Sequence, residues 1–556
     1  MPLSFAEQIA AADRVLGDGA QIALCLGSGI SRRKVPMLAR LVAEAFRNLP
    51  VGVESNSVFE AHSGRHAFAL KLAAKRITVS DPCTLEEFRT LPLNVAQELC
   101  SVLVPTYGDV FRDLQQVYGS KQAMLTGIDF QRFSDAEPDV AHMFIACLLI
   151  EGRITQVLTT NWDRLIEKAI ARNTSKPCSE TAKVVIDDPS WLDRFTGPPV
   201  IFAKIHGCAT QYPTNCDEIV ITTTDLHIAA APGWRHDAVH DILSRRVLFC
   251  GYSASDYTLM VPAKVIADLR SRAALPNAEY FVAHDADLPA GARELTGTSA
   301  DYHLRMYAND MFASLYFAAM KKRFENAITT AEQQTQPERA FFKWNDAIWR
   351  QALDRVQILV SNELAAFLEA TIGPSASRSY DDSVSNLPID LAHLRQLFLE
   401  GLVRQRGIYV PFRFDPVKDI VLLIIMAAVI DVARAANLTL SVESSFAGIT
   451  ITEVGGVKRK IMLVHGTYVG SVEPMVHEYV SDIENVDGRF PTFEVLVIPC
   501  NQYTVGKYPA SAPAPVLSKR LPGTHATKRT FIKPDGVFGT NDFANLVLHL
   551  RAQLGV

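Results

Sequence analysis

The first regular pattern along the chain is a short apolar run, Gln21 to Leu26, that ends in Gly27-Ser28-Gly29-Ile30-Ser31 and gives way to helical apolar spacing from Met37 to Phe46. Such a run, closed by glycines and followed by a 3.6-residue period, reads as strand, glycine turn, helix. From Val58 to Arg153 the pattern is helix-like, broken at Asp81-Pro82, Leu91-Pro92 and Glu137-Pro138, and predicts a helical insertion spanning about residues 50–150. Strand-like runs return at Ile154 to Leu158, Val200 to Ile205, Ile219 to Thr222, Val247 to Cys250 and Tyr280 to Val282, with helix-like segments between several of them. That alternation predicts an α/β fold with a Rossmann-like, doubly wound parallel sheet.

Two long helical stretches follow, Asp310 to Gln334 and Pro337 to Ile372, and read as a connecting bundle. Gly373 to Pro388, rich in Ser, Gly and Asp, reads as a linker. Beyond it, Val417 to Ala436 has the pattern of a buried helix, and Leu438 to Val442, Ile449 to Val454 and Lys460 to Val464 that of a β-meander around Gly455-Gly456. The expected organisation is a nucleotide-binding catalytic domain at 1–300, a helical connector at 301–372, a linker at 373–388 and an α+β C-terminal domain at 389–556 with a regulatory or partner-binding role.

Composition narrows the class. At 556 residues, two or three domains are the starting expectation, and an apolar fraction of 48% is ample for packed cores. A net charge of −5 is small for this length, so no global field draws the chain to nucleic acid or membrane. The stretch Met1 to Ala20 carries Glu7, Asp13 and Asp18 and lacks an uninterrupted apolar core, which argues against a signal peptide and for a cytoplasmic location. The longest apolar run, Ile420 to Ile430 between Asp419 and Asp431, falls well short of the roughly 20 residues of a membrane span. Nine cysteines are scattered from Cys25 to Cys500 without a C-x-x-C pair. Cys208 and Cys216 come nearest to ligand spacing, but seven residues separate them and no second pair follows, so no zinc is expected.

Four motifs sit at predicted strand ends. Gly27-Ser28-Gly29 suits phosphate binding, because glycines let the backbone approach an anion; a glycine turn required by close packing explains it equally well. Thr159-Thr160-Asn161-Trp162-Asp163 places polar side chains where open α/β sheets bind ligands, although Asn161 or Asp163 would also cap the helix starting near Arg164. Lys204-Ile205-His206-Gly207 puts a histidine at a strand tip on the same predicted edge, where a base would reach substrate; a lone histidine is more often structural. Gly251-Tyr252-Ser253-Ala254-Ser255-Asp256 is a small, hydroxyl-rich turn able to donate to phosphate or ribose, or an ordinary capped turn.

Together and in this order, the four resemble the sirtuin family, whose glycine-alanine-glycine loop, Thr-Gln-Asn-x-Asp motif, His-Gly motif and Gly-Thr-Ser turn surround NAD. The resemblance covers roughly the first half of the chain. Ala141 to Ile170, with its double threonine and Glu167-Lys168-Ala169, is similar to the bacterial sirtuin-like NAD hydrolases of antiphage defence, and Asp225 and Asp256 fit that branch. The resemblance implies Asn161, Asp163 and His206 as catalytic residues. It implies Gly27, Ser28, Gly29, Ile30, Thr159, Thr160, Gly251, Ser253 and Asp256 as NAD-binding, with NAD the substrate and nicotinamide and ADP-ribose the products. The four-cysteine zinc module and the Phe-Gly-Glu segment of deacylase sirtuins are missing, and Arg32-Arg33-Lys34 stands where a Pro-Asp-Phe-Arg context is expected.

A protein deacylase or ADP-ribosyltransferase is a competing expectation, disfavoured by the absent zinc module. A sensor that binds NAD or ADP-ribose without turnover is another, disfavoured by the joint presence of Asn161 and His206. The resemblance further implies an oligomer and a controller: a co-encoded short Argonaute, a HerA-type ATPase, or a phage protein. Lys507, Lys519, Arg520, Lys528, Arg529 and Lys533 form a candidate nucleic-acid contact, with a solvated loop the favoured explanation.

Overall fold

A computed structural model describes residues 5–17, 22–64, 84–174, 177–252, 279–284, 302–333, 344–345, 347–355, 416–441, 449–452, 458–464, 494–499, 529–531, 537 and 539–555. The chain divides into two compact units, Met1–Ala318 and Ala319–Val556. No described helix is long and apolar enough to cross a membrane.

The first unit is built on seven strands: β1 (Ile22–Leu26), β2 (Ile154–Thr159), β3 (Ala182–Val185), β4 (Val200–Lys204), β5 (Val247–Cys250), β6 (Tyr280–Ala283) and β7 (His303–Leu304). They lie in the order β3-β4-β2-β1-β5-β6-β7, and each neighbouring pair is parallel. Residues of β1, β4, β5 and β6 are buried at every position. Continuous apolar strands of this kind form when helices cover both faces of a parallel sheet. The predicted α/β, Rossmann-like doubly wound fold is what the chain adopts. Because β1 pairs β2 on one side and β5 on the other, the strand order reverses at β1, and a crevice opens beyond the carboxyl ends of these three strands.

Helix α1 (Phe5–Leu16) precedes β1, and α2 (Leu38–Arg47) follows it after a 3-10 turn at Ser28–Ser31. The predicted helical insertion supplies α3 (Val53–Ser63), α4 (Leu85–Thr90), α5 (Leu93–Cys100), α6 (Tyr107–Tyr118), α7 (Lys121–Gly127), α8 (Arg132–Asp135) and α9 (Val140–Ile150). Pro92 stands at the start of α5 and Glu137-Pro138 between α8 and α9, where a missing N–H is harmless; Asp81-Pro82 lies outside the described residues. The insertion has its own core. Phe46 meets Phe59 edge-on at 5.3 Å and Phe88 at 6.1 Å, and Phe130 and Phe133 both contact Trp162, each at 5.5 Å. The insertion is thus packed directly on the loop after β2.

The predicted strand at Ile219 to Thr222 does not form. Ile219, Val220 and Ile221 are buried in that same core, but their backbone is satisfied by other means. Lys121 Nζ donates to the Ile219 carbonyl at 2.9 Å, Asp225 Oδ2 accepts from the amides of Ile221 and Thr222, and Thr222 caps the next helix, α10 (Thr223–Ala230), from its own side. A three-residue apolar run cannot by itself distinguish a strand from a buried loop. Conversely, the edge strand β3, with a half-exposed centre, was not among the predicted strands, although Val184, Val185 and Ile186 are β-branched.

In the second unit, α11 (Pro416–Ala435) matches the predicted buried helix and packs on α12 (Phe543–Leu554). Strands β8 (Thr439–Ser441), β9 (Ile449–Thr452) and β10 (Lys458–Val464) are antiparallel neighbours, as a meander requires. The sheet then continues with β11 (Glu494–Pro499) and β12 (Arg529–Phe531), both parallel, and so is mixed. The linker at 373–388, the Gly455-Gly456 turn and most of the second connector helix lie outside the described residues. Lys507, Lys519, Arg520, Lys528 and Lys533 do too, whereas Arg529 opens β12.

Candidate active site at the carboxyl edge of the parallel sheet

The loops after β1 and β5 touch backbone to backbone. The amide of Gly27 donates to the Cys250 carbonyl at 3.0 Å, and that of Gly29 to the Gly251 carbonyl at 2.8 Å. A Cβ on Gly27 would fall 2.5 Å from the Gly251 oxygen, and one on Gly29 would fall 2.7 Å from the Gly251 Cα. Gly251 itself has φ +68° and would bring a Cβ to 2.5 Å from the Ile30 nitrogen. Close packing is therefore sufficient reason for all three glycines, whatever they also bind. Ile30 is part of this contact.

The loop after β2 is fixed residue by residue. Thr159 Oγ1 donates to the Leu26 carbonyl at 2.9 Å and accepts from the Asn161 amide at 3.0 Å. Asn161 Nδ2 donates to the Gly27 carbonyl at 3.2 Å and to Ser31 Oγ at 3.3 Å. Because a carbonyl only accepts, this contact fixes the amide's orientation, and it leaves Oδ1 buried without a hydrogen-bond partner. Asp163 Oδ1 accepts from the Leu165 amide at 3.2 Å, so this carboxylate does cap the helix that follows (Leu165–Thr174).

Behind Asn161 runs a buried polar relay that the sequence did not reveal. Ser31 Oγ lies 3.2 Å from His142 Nε2, and His142 Nδ1 lies 2.7 Å from Asp139 Oδ1. An ionised carboxylate only accepts, so Nδ1 donates to Asp139, while Ser31 Oγ faces Nε2 and accepts from Asn161. Burial pushes the Asp139 carboxyl up, but hydrogen bonds and charge attraction from His142, with the Lys34 charge, together outweigh this and hold it below the usual carboxylate range. Ser31 adjoins the glycine loop and Asp139 stands just before the start of α9, yet neither signal points to a site.

Gly27, Ser28, Thr160, Asn161, Trp162, Asp163, His206 and Tyr252 line one cavity, together with Phe133 and Tyr107 from the insertion and Val35, Pro36, Leu38 and Leu41 from the approach to and start of α2. Asn161, Asp163 and His206 are only 7%, 6% and 3% exposed. Asn161 and His206 follow the carboxyl ends of β2 and β4, where the strand-end motifs put them, but that edge is not exposed: the insertion and α2 cover it. The cavity has a volume of about 70 Å³, room for several waters, and residues 253–278, which follow its lining residue Tyr252, lie outside the described residues.

Thr159, Gly29, Ile30 and Gly251 support the cavity without lining it, and Ser253 and Asp256 lie outside the described residues. Arg235 donates through Nε to the Ile205 carbonyl at 3.0 Å and pairs with Glu218 at 2.7 Å, bracing the segment that carries His206. Gly207 has φ +86°, which lets the chain turn directly after it. Among the described residues no group of three or more His, Cys, Asp or Glu side chains is placed to hold a metal ion. Cys208 is buried and Cys216 Sγ lies 3.4 Å from the Pro213 carbonyl, its thiol pushed above its ordinary range by burial and by Asp217.

No curated protein matches the chain. Residues 155–307 match the family model of the SIR2-like domain, a span from β2 to β7 that includes Asn161, Asp163, His206 and Gly251, and this match supports a sirtuin-like, NAD-using enzyme built on the first unit.

Proposed function

We propose that the first unit cleaves NAD to nicotinamide and ADP-ribose, as the regulated effector of an antiphage, abortive-infection response. The observation that carries the reading is the juxtaposition, in one roofed cavity, of a fixed amide acceptor on Asn161, a carboxylate on Asp163 and an imidazole on His206 beside the Gly27–Ser28 backbone.

The nicotinamide of NAD is a cationic leaving group, so breaking its bond to ribose needs little acid assistance. It needs stabilisation of an oxocarbenium-like ribose and a placed nucleophile, as in glycoside hydrolysis. When the C1′–N bond breaks, its electron pair passes to the pyridinium nitrogen and nicotinamide departs neutral. Asn161 Oδ1 accepts from a ribose hydroxyl or from the attacking water. Asp163 holds the nicotinamide end, and His206 takes the proton that water loses as its oxygen bonds to C1′. Gly27, Ser28, Gly29 and Ile30 lead the backbone toward the phosphates, with Thr159, Thr160, Gly251, Ser253 and Asp256 shaping the rest of the NAD site. The roof that buries these residues also excludes bulk water.

An enzyme that consumes a central cofactor has to be restrained. The second unit is assigned that control, through a co-encoded short Argonaute or HerA-type ATPase, or a phage protein, acting on an assembled state of the chain. Reaction in ¹⁸O-water tests the chemistry. One heavy oxygen in the ADP-ribose identifies water as acceptor, whereas ADP-ribose attached to protein would replace hydrolysis with transfer. NAD that binds and is recovered intact would make the site a sensor.

A further inference from the structure

Four consecutive residues after β2 are each tethered by a different neighbour. The Thr160 amide donates to the Leu26 carbonyl at 3.2 Å, Asn161 is held by Gly27 and Ser31, and the Trp162 carbonyl accepts from the Ala209 amide at 2.8 Å. These three tethers use neutral groups. The fourth is ionic: the Asp163 carbonyl accepts from Nζ of Lys204, a side chain with no exposed surface.

Lys204 is the last residue of β4, level with Thr159 on β2 and two residues before His206. Its ammonium also donates to Glu167 Oε1 at 2.9 Å in the first turn of the following helix, while Glu167 Oε2 has no hydrogen-bond partner. It does not line the cavity. Burying an ammonium is costly, and a hydrophobic pair in the same space is often as stable or more so. A charge kept here therefore calls for a reason beyond stability. What it achieves is a single rigid link between the strand that carries His206, the loop that carries Asn161 and Asp163, and the helix that follows.

Resting on the NAD-cleaving reading above, we propose that Lys204 is a positioning residue that sets Asn161 and Asp163 against His206 by holding the Asp163 carbonyl. It touches no reacting atom.

The test separates position from stability. Lys204→Met alone strands the Glu167 carboxylate and is expected to unfold readily, so the informative protein is the full-length double variant Lys204→Met/Glu167→Leu, which removes both charges. Its melting temperature should return to within a few degrees of the parent. Amide exchange across 160–163 should nevertheless accelerate at least about tenfold. NAD cleavage should lose about 10²-fold in kcat with KM within about threefold, the mark of lost alignment. Lys204→Arg, which keeps a cation, should recover part of both. A double variant that melts normally, exchanges as the parent does and turns over at the parental rate would overturn the proposal. Should the parent itself leave NAD intact, the functional reading fails, and the exchange measurement alone decides whether Lys204 holds the loop.

Discussion

The Asn161 amide is fixed: its nitrogen is committed to Gly27 and Ser31, and its buried oxygen is left as an acceptor without a partner. Replacing it by alanine is expected to abolish NAD cleavage and, by leaving a buried carbonyl and hydroxyl short of a donor, to cost about 1–3 kcal/mol of stability. His206→Ala should likewise abolish cleavage. Turnover persisting in both purified, folded variants would remove them from the mechanism. The relay behind Asn161 has its own signature in pH. Asp139 has a folded-state pKa held below its unfolded value, so its contribution is complete above about pH 4 and is lost as pH falls through the lower folded value. Urea unfolding of Asp139→Asn should therefore show lower stability than the parent at neutral pH, with the gap closing as pH falls below about 4. A gap that stays constant over that range would contradict the hydrogen-bonded carboxylate.

At the level of elements, the meeting of the β1 and β5 loops leaves no room for side chains. Gly251→Ala combines a positive φ with a Cβ only 2.5 Å from the Ile30 nitrogen, and Gly27→Ala places a Cβ 2.5 Å from the Gly251 oxygen. Each should lower stability by at least about 1–3 kcal/mol, Gly251→Ala the more because backbone strain adds to the clash. Thermal melts of the two variants check this, and parental melting in either would show that the loops can separate freely. The central strands were legible in the sequence because parallel strands covered on both faces read as unbroken apolar runs, as in Ile22–Leu26 and Val247–Cys250. The edge strand Ala182–Val185 was not, since a half-exposed centre mimics a loop, and Ile219–Ile221 misled because apolar residues can be buried with their backbone bonded to Lys121 and Asp225. The strand-end motifs could be read locally. Ser31, His142 and Lys204 could not, because their meaning lies in partners as far as 130 residues apart in sequence.

For the whole molecule, the SIR2-like match spans 155–307, while the cavity also draws on the glycine loop and the helical insertion that precede it. The proposed chemistry rests on the first unit, which holds the cavity. The second holds a mixed sheet and is assigned control, so the NAD turnover of the full chain and of residues 1–372 should differ in its response to the co-encoded neighbour protein. Identical rates for both, with and without that neighbour, would overturn the division. The most direct measurement for the account is quantification of products when the full-length chain is incubated with NAD, alone and with the neighbour. The account predicts equimolar release of nicotinamide and ADP-ribose under at least one condition, absent from the Asn161→Ala protein. NAD recovered intact under every condition, or loss that the Asn161→Ala variant matches, would contradict it.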